Sequence, residues 1–204
     1  MKKIFFGFLL FFSITNSFAA DKFFAEKQEN DELKTIINTI EIKRISGFGG
    51  PLMTYTNLGG DFAFMMGGGG GIIINNMFIG GYGEGLSNSI DIKRENILRD
   101  IDFGHGGLWI GYEIAHKAVI HPVISARIGW GGVSGENLTN NSFFSDNVFV
   151  VSPTISVEIN ITRFFKMNVG AEYRQTLDVN HTTPLNQSDL SGLGVYMNFI
   201  FGWF

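Results

Sequence analysis

Along the last stretch of the chain, every second residue from Leu193 is apolar: Leu193, Val195, Met197, Phe199, Phe201 and Trp203. The interleaved series is mixed: Gly194, Tyr196, Asn198, Ile200 and Gly202. A period of two means a strand whose faces meet different surroundings. The closing strand is therefore predicted over residues 190–204. Read upstream in the same way, the chain predicts seven more strands, at 41–51, 61–73, 77–86, 102–114, 120–130, 147–159 and 165–175. In the sixth, Phe149, Val151, Pro153, Ile155, Val157 and Ile159 alternate with Ser152, Thr154, Ser156 and Glu158. Pro153 removes one ladder donor and predicts a bulge there.

The predicted connections alternate in length. Asn75-Asn76, 115–118 and 160–164 are short, whereas 52–60, 86–101, 131–146 and 176–189 are longer and polar. Outer-membrane barrels combine short periplasmic turns with long external loops, and an even strand count returns both chain ends to the periplasm. The expected fold is an all-β, eight-stranded antiparallel up-and-down transmembrane barrel.

Alternation alone does not say which face is outside, since a lipocalin-like barrel turns its apolar face inward. Here the polar face is mostly Ser, Thr, Asn and Gly, too poor in charge to face water. Its charges also balance: Arg44, Arg127, Lys166 and Arg174 against Glu84, Glu113, Glu158 and Glu172. Eight strands enclose a space that side chains fill, and charges held there have to be compensated. An interior charge network and a plugged lumen follow. On the apolar face, Tyr112, Phe165 and Trp203 fall towards the periplasmic rim, and Trp130 and Tyr173 towards the outer rim. These five are the expected aromatic girdle.

Composition narrows the class further. Glycine (27) and phenylalanine (21) are abundant and charged residues are only 17%, which fits membrane β-structure. A net charge of -4 gives no reason to expect nucleic acid as a partner. With no cysteine, thiol chemistry and a lipid-modified cysteine anchor are excluded. Lys2 and Lys3, the apolar run from Ile4 to Phe12 and Ser17-Phe18-Ala19 read as a secretory signal over 1–19. Residues 20–40 read as a charged periplasmic tail and 41–204 as the barrel. The five glycines from Gly67 to Gly71 lack the Gly-Lys-Ser/Thr and the following helix of a phosphate loop. Instead they suit a narrow barrel, where inward glycines leave room.

The stretches GGYGEGL (Gly80 to Leu86), VEINITRFFKMNVGAEYR (Val157 to Arg174) and SDLSG (Ser188 to Gly192), with the FGWF terminus, resemble a family of small uncharacterised outer-membrane β-barrels of Bacteroidetes and related Gram-negative bacteria. The resemblance covers roughly Gly47 to Phe204 and implies a build like the small OmpA/OmpX-type proteins. It brings no activity and no functional residues. The closing signature departs from the usual one. Asn198 and Gly202 fall in the series that ends at Phe204, while the apolar series ends at Trp203.

Candidate chemistry is sparse. The histidines are His105, His116, His121 and His181. A lipid-modifying enzyme would need a Ser/His/acid arrangement near the outer rim. Only His105 is placed for that, with Ser125 or Ser134 as imaginable nucleophiles. No histidine pair has ligand spacing with a carboxylate, so neither metal nor cofactor is expected. The expectation is a non-enzymatic barrel with a structural or surface-interaction role. A solute or hydrophobic-ligand transporter is the alternative, and a lipid-modifying enzyme a distant third. Expected partners are outer-membrane lipid and the barrel-assembly machinery, with the ligand of the external loops unassigned.

Overall fold

A computed structural model of the chain describes residues 42–93, 97–139, 141–179 and 184–204. The expected signal segment (1–19) and tail (20–40) lie outside the described residues, as does His181. Eight long strands form an antiparallel barrel: β1 (Ile45–Leu58), β2 (Asp61–Ile74), β3 (Met77–Leu86), β5 (Ile97–Glu113), β6 (Ile120–Asn137), β7 (Ser142–Asn160), β8 (Phe165–Leu177) and β9 (Gly192–Gly202). A two-residue strand, β4 (Ile92–Lys93), pairs with β5 outside this ring, and a single helical turn, α1 (Gln187–Leu190), precedes β9. Each long strand pairs with its sequence neighbour, β3 with β5 across the β4 segment, and β9 returns to β1 to close the ring.

The closing strand works as its alternation predicts. Leu193, Val195, Phe201 and Trp203 face outward, while Tyr196, Asn198 and Ile200 are buried. Phe204 shares the inward series, and its ring lies 4.3 Å from the Lys166 ammonium. The unusual terminal register therefore turns the last residue into the barrel mouth.

Two of the four expected long loops are strand instead. β1 runs on through 52–58 to a turn at Gly59-Gly60, both with positive φ (61° and 98°). Leu52, Thr54, Thr56 and Leu58 continue its buried series, so the polar residues there are interior positions and not a loop. Likewise β6 and β7 extend to Asn137 and from Ser142, leaving a connection of only 138–141. Glycine, serine and asparagine suit both turns and a barrel interior, and in 131–137 the second use prevails. The expected bulge at Pro153 is also absent. Pro153 pairs with Ala126 on β6, and towards β8 the ladder skips Ser152 and Pro153 without changing register.

A bulge does occur in β5, where the register shifts between Arg99 and Asp102 around Asp100 (φ 49°). It lets the connection before β5 fold inward. Asp100 N–H donates to the Asp91 carboxylate (3.2 Å) and Ile101 N–H to the Ile90 carbonyl (3.2 Å). Opposite, α1 is fastened over the same mouth. Thr176 Oγ1 donates to the Leu190 carbonyl (3.1 Å), and Gly59 N–H to the Asp189 carbonyl (2.7 Å).

Candidate functional site: a layered interior

The interior is filled in four layers between the mouths. Farthest from the short turns is an apolar roof. Ile90 and Ile92 from one connection, and Leu185 and Leu190 from another, pack on Leu58, Met65, Leu98, Phe103, Val133, Val148 and Val150. The sequence reading, which expected a polar interior and solvent-facing loops there, missed this cluster.

Beneath the roof lies a sealed ionic layer. Arg127 on β6 donates to Glu84 Oε1 from Nη1 (2.9 Å) and pairs with Glu172 through Nη2. Its guanidinium stands 5.2 Å from the Tyr196 ring and 5.6 Å from that of Tyr82. Thr54 donates to the other oxygen of Glu84 (2.9 Å). His105, opposite Glu84 in the β3–β5 ladder, has Nε2 3.4 Å from Glu84 Oε1 and Nδ1 3.0 Å from the Tyr82 hydroxyl. Arg174, expected to pair with a carboxylate, has no such direct partner among the described residues. Its Nε donates to the Leu190 carbonyl (2.8 Å) and its Nη2 to that of Asn57 (3.4 Å), while the group lies 5.2 Å from the Phe103 ring. It is the polar link between this layer and the roof: carbonyls accept its hydrogen bonds, and Glu84 acts on it as a countercharge without direct contact.

The third layer is aromatic. Phe48, Phe78 and Trp109 meet edge-to-face with centroids 5.3 to 5.7 Å apart, the arrangement their quadrupoles favour. Room for it comes from the glycine run. A Cβ on Gly69 would stand 3.1 Å from the Trp109 ring, and one on Gly111 would strike the Phe78 ring. Trp109 Nε1 donates to Ser125 Oγ (3.1 Å), itself 2.5 Å from Thr154 Oγ1. Ser125 is engaged by Trp109 and Thr154 and His105 by Tyr82, Glu84 and the Phe103 ring, so the two are not joined as a nucleophile–base pair in this arrangement.

The fourth layer lies towards the short turns. Lys166 donates to Glu113 Oε1 (3.1 Å) and Glu158 Oε1 (2.6 Å), Arg44 to Glu113 Oε2 (3.1 Å), and His121 Nε2 lies 3.2 Å from Glu158 Oε1. Arg44 is the most exposed of these side chains, at 19%. Spacing along the chain does not record what neighbouring strands bring together. Glu113, His121 and Glu158, from β5, β6 and β7, bring ligand-capable atoms within 4.8 Å of one another. His121 and Glu158 are direct partners in the β6–β7 ladder, which a search of nearby positions along the chain cannot see. The Lys166 ammonium binds both carboxylates of that trio, so the protein's own cation supplies the charge that a metal would bring.

Each ionic layer holds two cations and two carboxylates: Arg127 and Arg174 with Glu84 and Glu172, Arg44 and Lys166 with Glu113 and Glu158. Between the layers, a cavity beside the aromatic trio measures only about 10 Å³, room for a single water. Outside, Trp203 (82% exposed), Trp130 (71%), Tyr173 and Tyr112 face away from the barrel, and Phe165 is half-buried and stacked on Phe201 at 5.0 Å. β6 continues seven residues past Trp130, to Asn137.

No family model matches the chain, and no curated protein matches it. Among solved structures it is similar to Neisserial surface protein A (NspA), with a TM-score of 0.56 and 13% identity over 78% of this chain and 96% of that one. It is also similar to outer membrane protein H (OprH) from P. aeruginosa, in its solution structure in DHPC micelles. That match has a TM-score of 0.53 and 12% identity over 78% of this chain and 99% of that one. Identities this low establish the shared fold: a closed, eight-stranded antiparallel barrel.

Proposed function

We propose that this protein is a non-enzymatic outer-membrane barrel, closed to solutes, with a structural or surface-interaction role. One observation carries the reading. The barrel wears its apolar residues outside and its charges inside. Ile155, Leu193, Val195, Ile124 and Leu108 face outward, while Arg127, Arg174, Glu84, Glu158 and Glu172 are all buried. In water such a surface would be costly, whereas in lipid the outward side chains are at home, and each long strand pairs with a neighbour on both sides to close the ring. The fold shared with OprH, an outer membrane protein, supports the same location.

The interaction surface differs from the one that four long loops would offer. Two of the outer connections fold inward as the roof, and the projecting element is the β6–β7 hairpin, with Phe143 exposed near its tip. We place surface recognition on that hairpin. Membership of the Bacteroidetes-type family, and dependence on the barrel-assembly machinery, belong to the same proposal. Heat-modifiability tests it: isolated outer membranes should give a band that shifts on boiling in SDS. A soluble periplasmic protein with no shift would overturn the membrane reading. An unchanged lipid A profile on expression of His105→Ala is the expected result, and a change in it would revive the enzyme reading.

A further inference from the structure

The short-turn mouth carries a feature that the filled interior does not explain. A cavity of about 550 Å³ opens there, lined by Arg44, His116, Lys117, Asn160, Arg163 and Lys166, with Thr162, Ile161 and Phe204 completing its wall. Four of these residues have cationic side chains, and no acidic side chain is among the lining residues. The nearest acids, Glu113 and Glu158, are already engaged from below by Arg44, Lys166 and His121. Lys117 and Arg163 are exposed, and among the described residues neither makes an ion pair. Arg44 adds a donor, Nε, that is shut off from water and has no hydrogen-bond partner. Counted by side chains, Lys117 and Arg163 are therefore in excess over the balanced network of Arg44 and Lys166 with Glu113 and Glu158.

We infer that this cavity binds a phosphate-bearing anion, held between Arg44, Lys117 and Arg163. A guanidinium fork and an ammonium suit tetrahedral oxyanions, the first by paired hydrogen bonds and the second as a point charge. The neighbourhood also suits an amphiphile. Ile161, Phe164 and Trp203 beside the cavity are exposed apolar residues on the rim, where headgroups of the adjoining leaflet lie if the barrel spans a membrane. The chemistry is shared by a lipid headgroup and a free phosphate, and the inference rests on the membrane reading only for the first source.

The test uses the full chain refolded in zwitterionic micelles and in nanodiscs. Backbone amide shifts at 116–118 and 160–163 are followed while inorganic phosphate is titrated into the micelles. They are then compared between phosphatidylglycerol and phosphatidylcholine nanodiscs. Saturable shifts confined to those residues are expected. Lys117→Ala with Arg163→Ala should weaken them about tenfold or more, and Lys43→Ala, whose residue does not line the cavity, should leave them unchanged. A response to inorganic phosphate identifies a free anion as sufficient, and a response only to phosphatidylglycerol identifies the headgroup. No response to either, or one that survives the double substitution, overturns the inference. The gel shift on boiling is recorded in parallel. If it persists without a phosphate response, the inference fails and the barrel stands; if it is lost, the membrane reading fails.

Discussion

The two mouths of this barrel solve the same problem in opposite ways. At one, apolar side chains from two connections fold over the sealed Glu84–Arg127–Glu172 layer and keep water from it. At the other, the Arg44–Glu113–Lys166–Glu158 layer stays beneath an open basic cavity, and its outermost member is partly wet. Charge balance is common to both; solvent access is not. The lesson concerns cost. A buried charge that loses its partner is expensive because nothing else reaches it, whereas at the open mouth water can replace a lost partner.

Substitutions separate the two ends. The largest effect is expected from Arg127→Ala, which strands Glu84 and Glu172 in a dry layer. It should cost about 3–5 kcal/mol, read by urea unfolding of the barrel in lipid vesicles. Arg44→Ala should cost no more than about 1 kcal/mol in the same assay, because Lys166 still holds Glu113 and water enters. Equal losses would erase the distinction between the mouths. Leu98→Ala, in the roof, should cost about 2–5 kcal/mol and raise amide exchange in β4 and α1 more than in the short turns. Gly69→Ala pushes a methyl to 3.1 Å from the Trp109 ring and 3.0 Å from the Gly81 carbonyl. An overpacking cost of about 1–3 kcal/mol follows, and Trp109 fluorescence should report it.

The smallest effect is a pH dependence at the open mouth. His116 lies in the turn between β5 and β6. Partial burial, followed by the nearby Arg44, holds it below its ordinary value of 6.5. Asn76 Nδ2 lies 3.0 Å from His116 Nδ1, a contact that suits the neutral ring. The unfolded chain thus takes up the proton more readily than the folded one. Stability should decline as pH falls through 6.5 and level off below the folded value. His116→Gln should flatten that slope, and an unchanged slope would assign the dependence elsewhere.

Much of this architecture is legible in the sequence, for a physical reason. Strands whose two faces meet lipid and a packed polar interior alternate cleanly, as β7, β8 and β9 do, and the three short turns lie where the polarity breaks. Legibility failed where one residue type serves two purposes. Thr54, Thr56 and Gly131 to Gly135 read as loop because small polar residues favour turns, yet they line the interior or extend a hairpin. The roof was hidden because Ile90, Ile92 and Leu185 are isolated apolar residues in polar stretches, without period. The signal that could have exposed it is on the strands. Met65, Phe103, Val133, Val148 and Val150 are apolar at inward positions near one mouth, where a polar lining was expected. The acid–histidine trio and the basic cavity draw residues from distant strands and turns, so no local motif announces them.

The central claim, a membrane barrel whose interior is shut by its own side chains, is tested most directly by electrical recording. The refolded full chain is added to a planar bilayer once its gel shift on boiling has confirmed folding. The structure predicts a flat baseline with no steady unitary steps across the voltage range. Reproducible ohmic steps from the folded protein would contradict it, since the roof and the Arg127 layer fill the interior with buried side chains among the described residues.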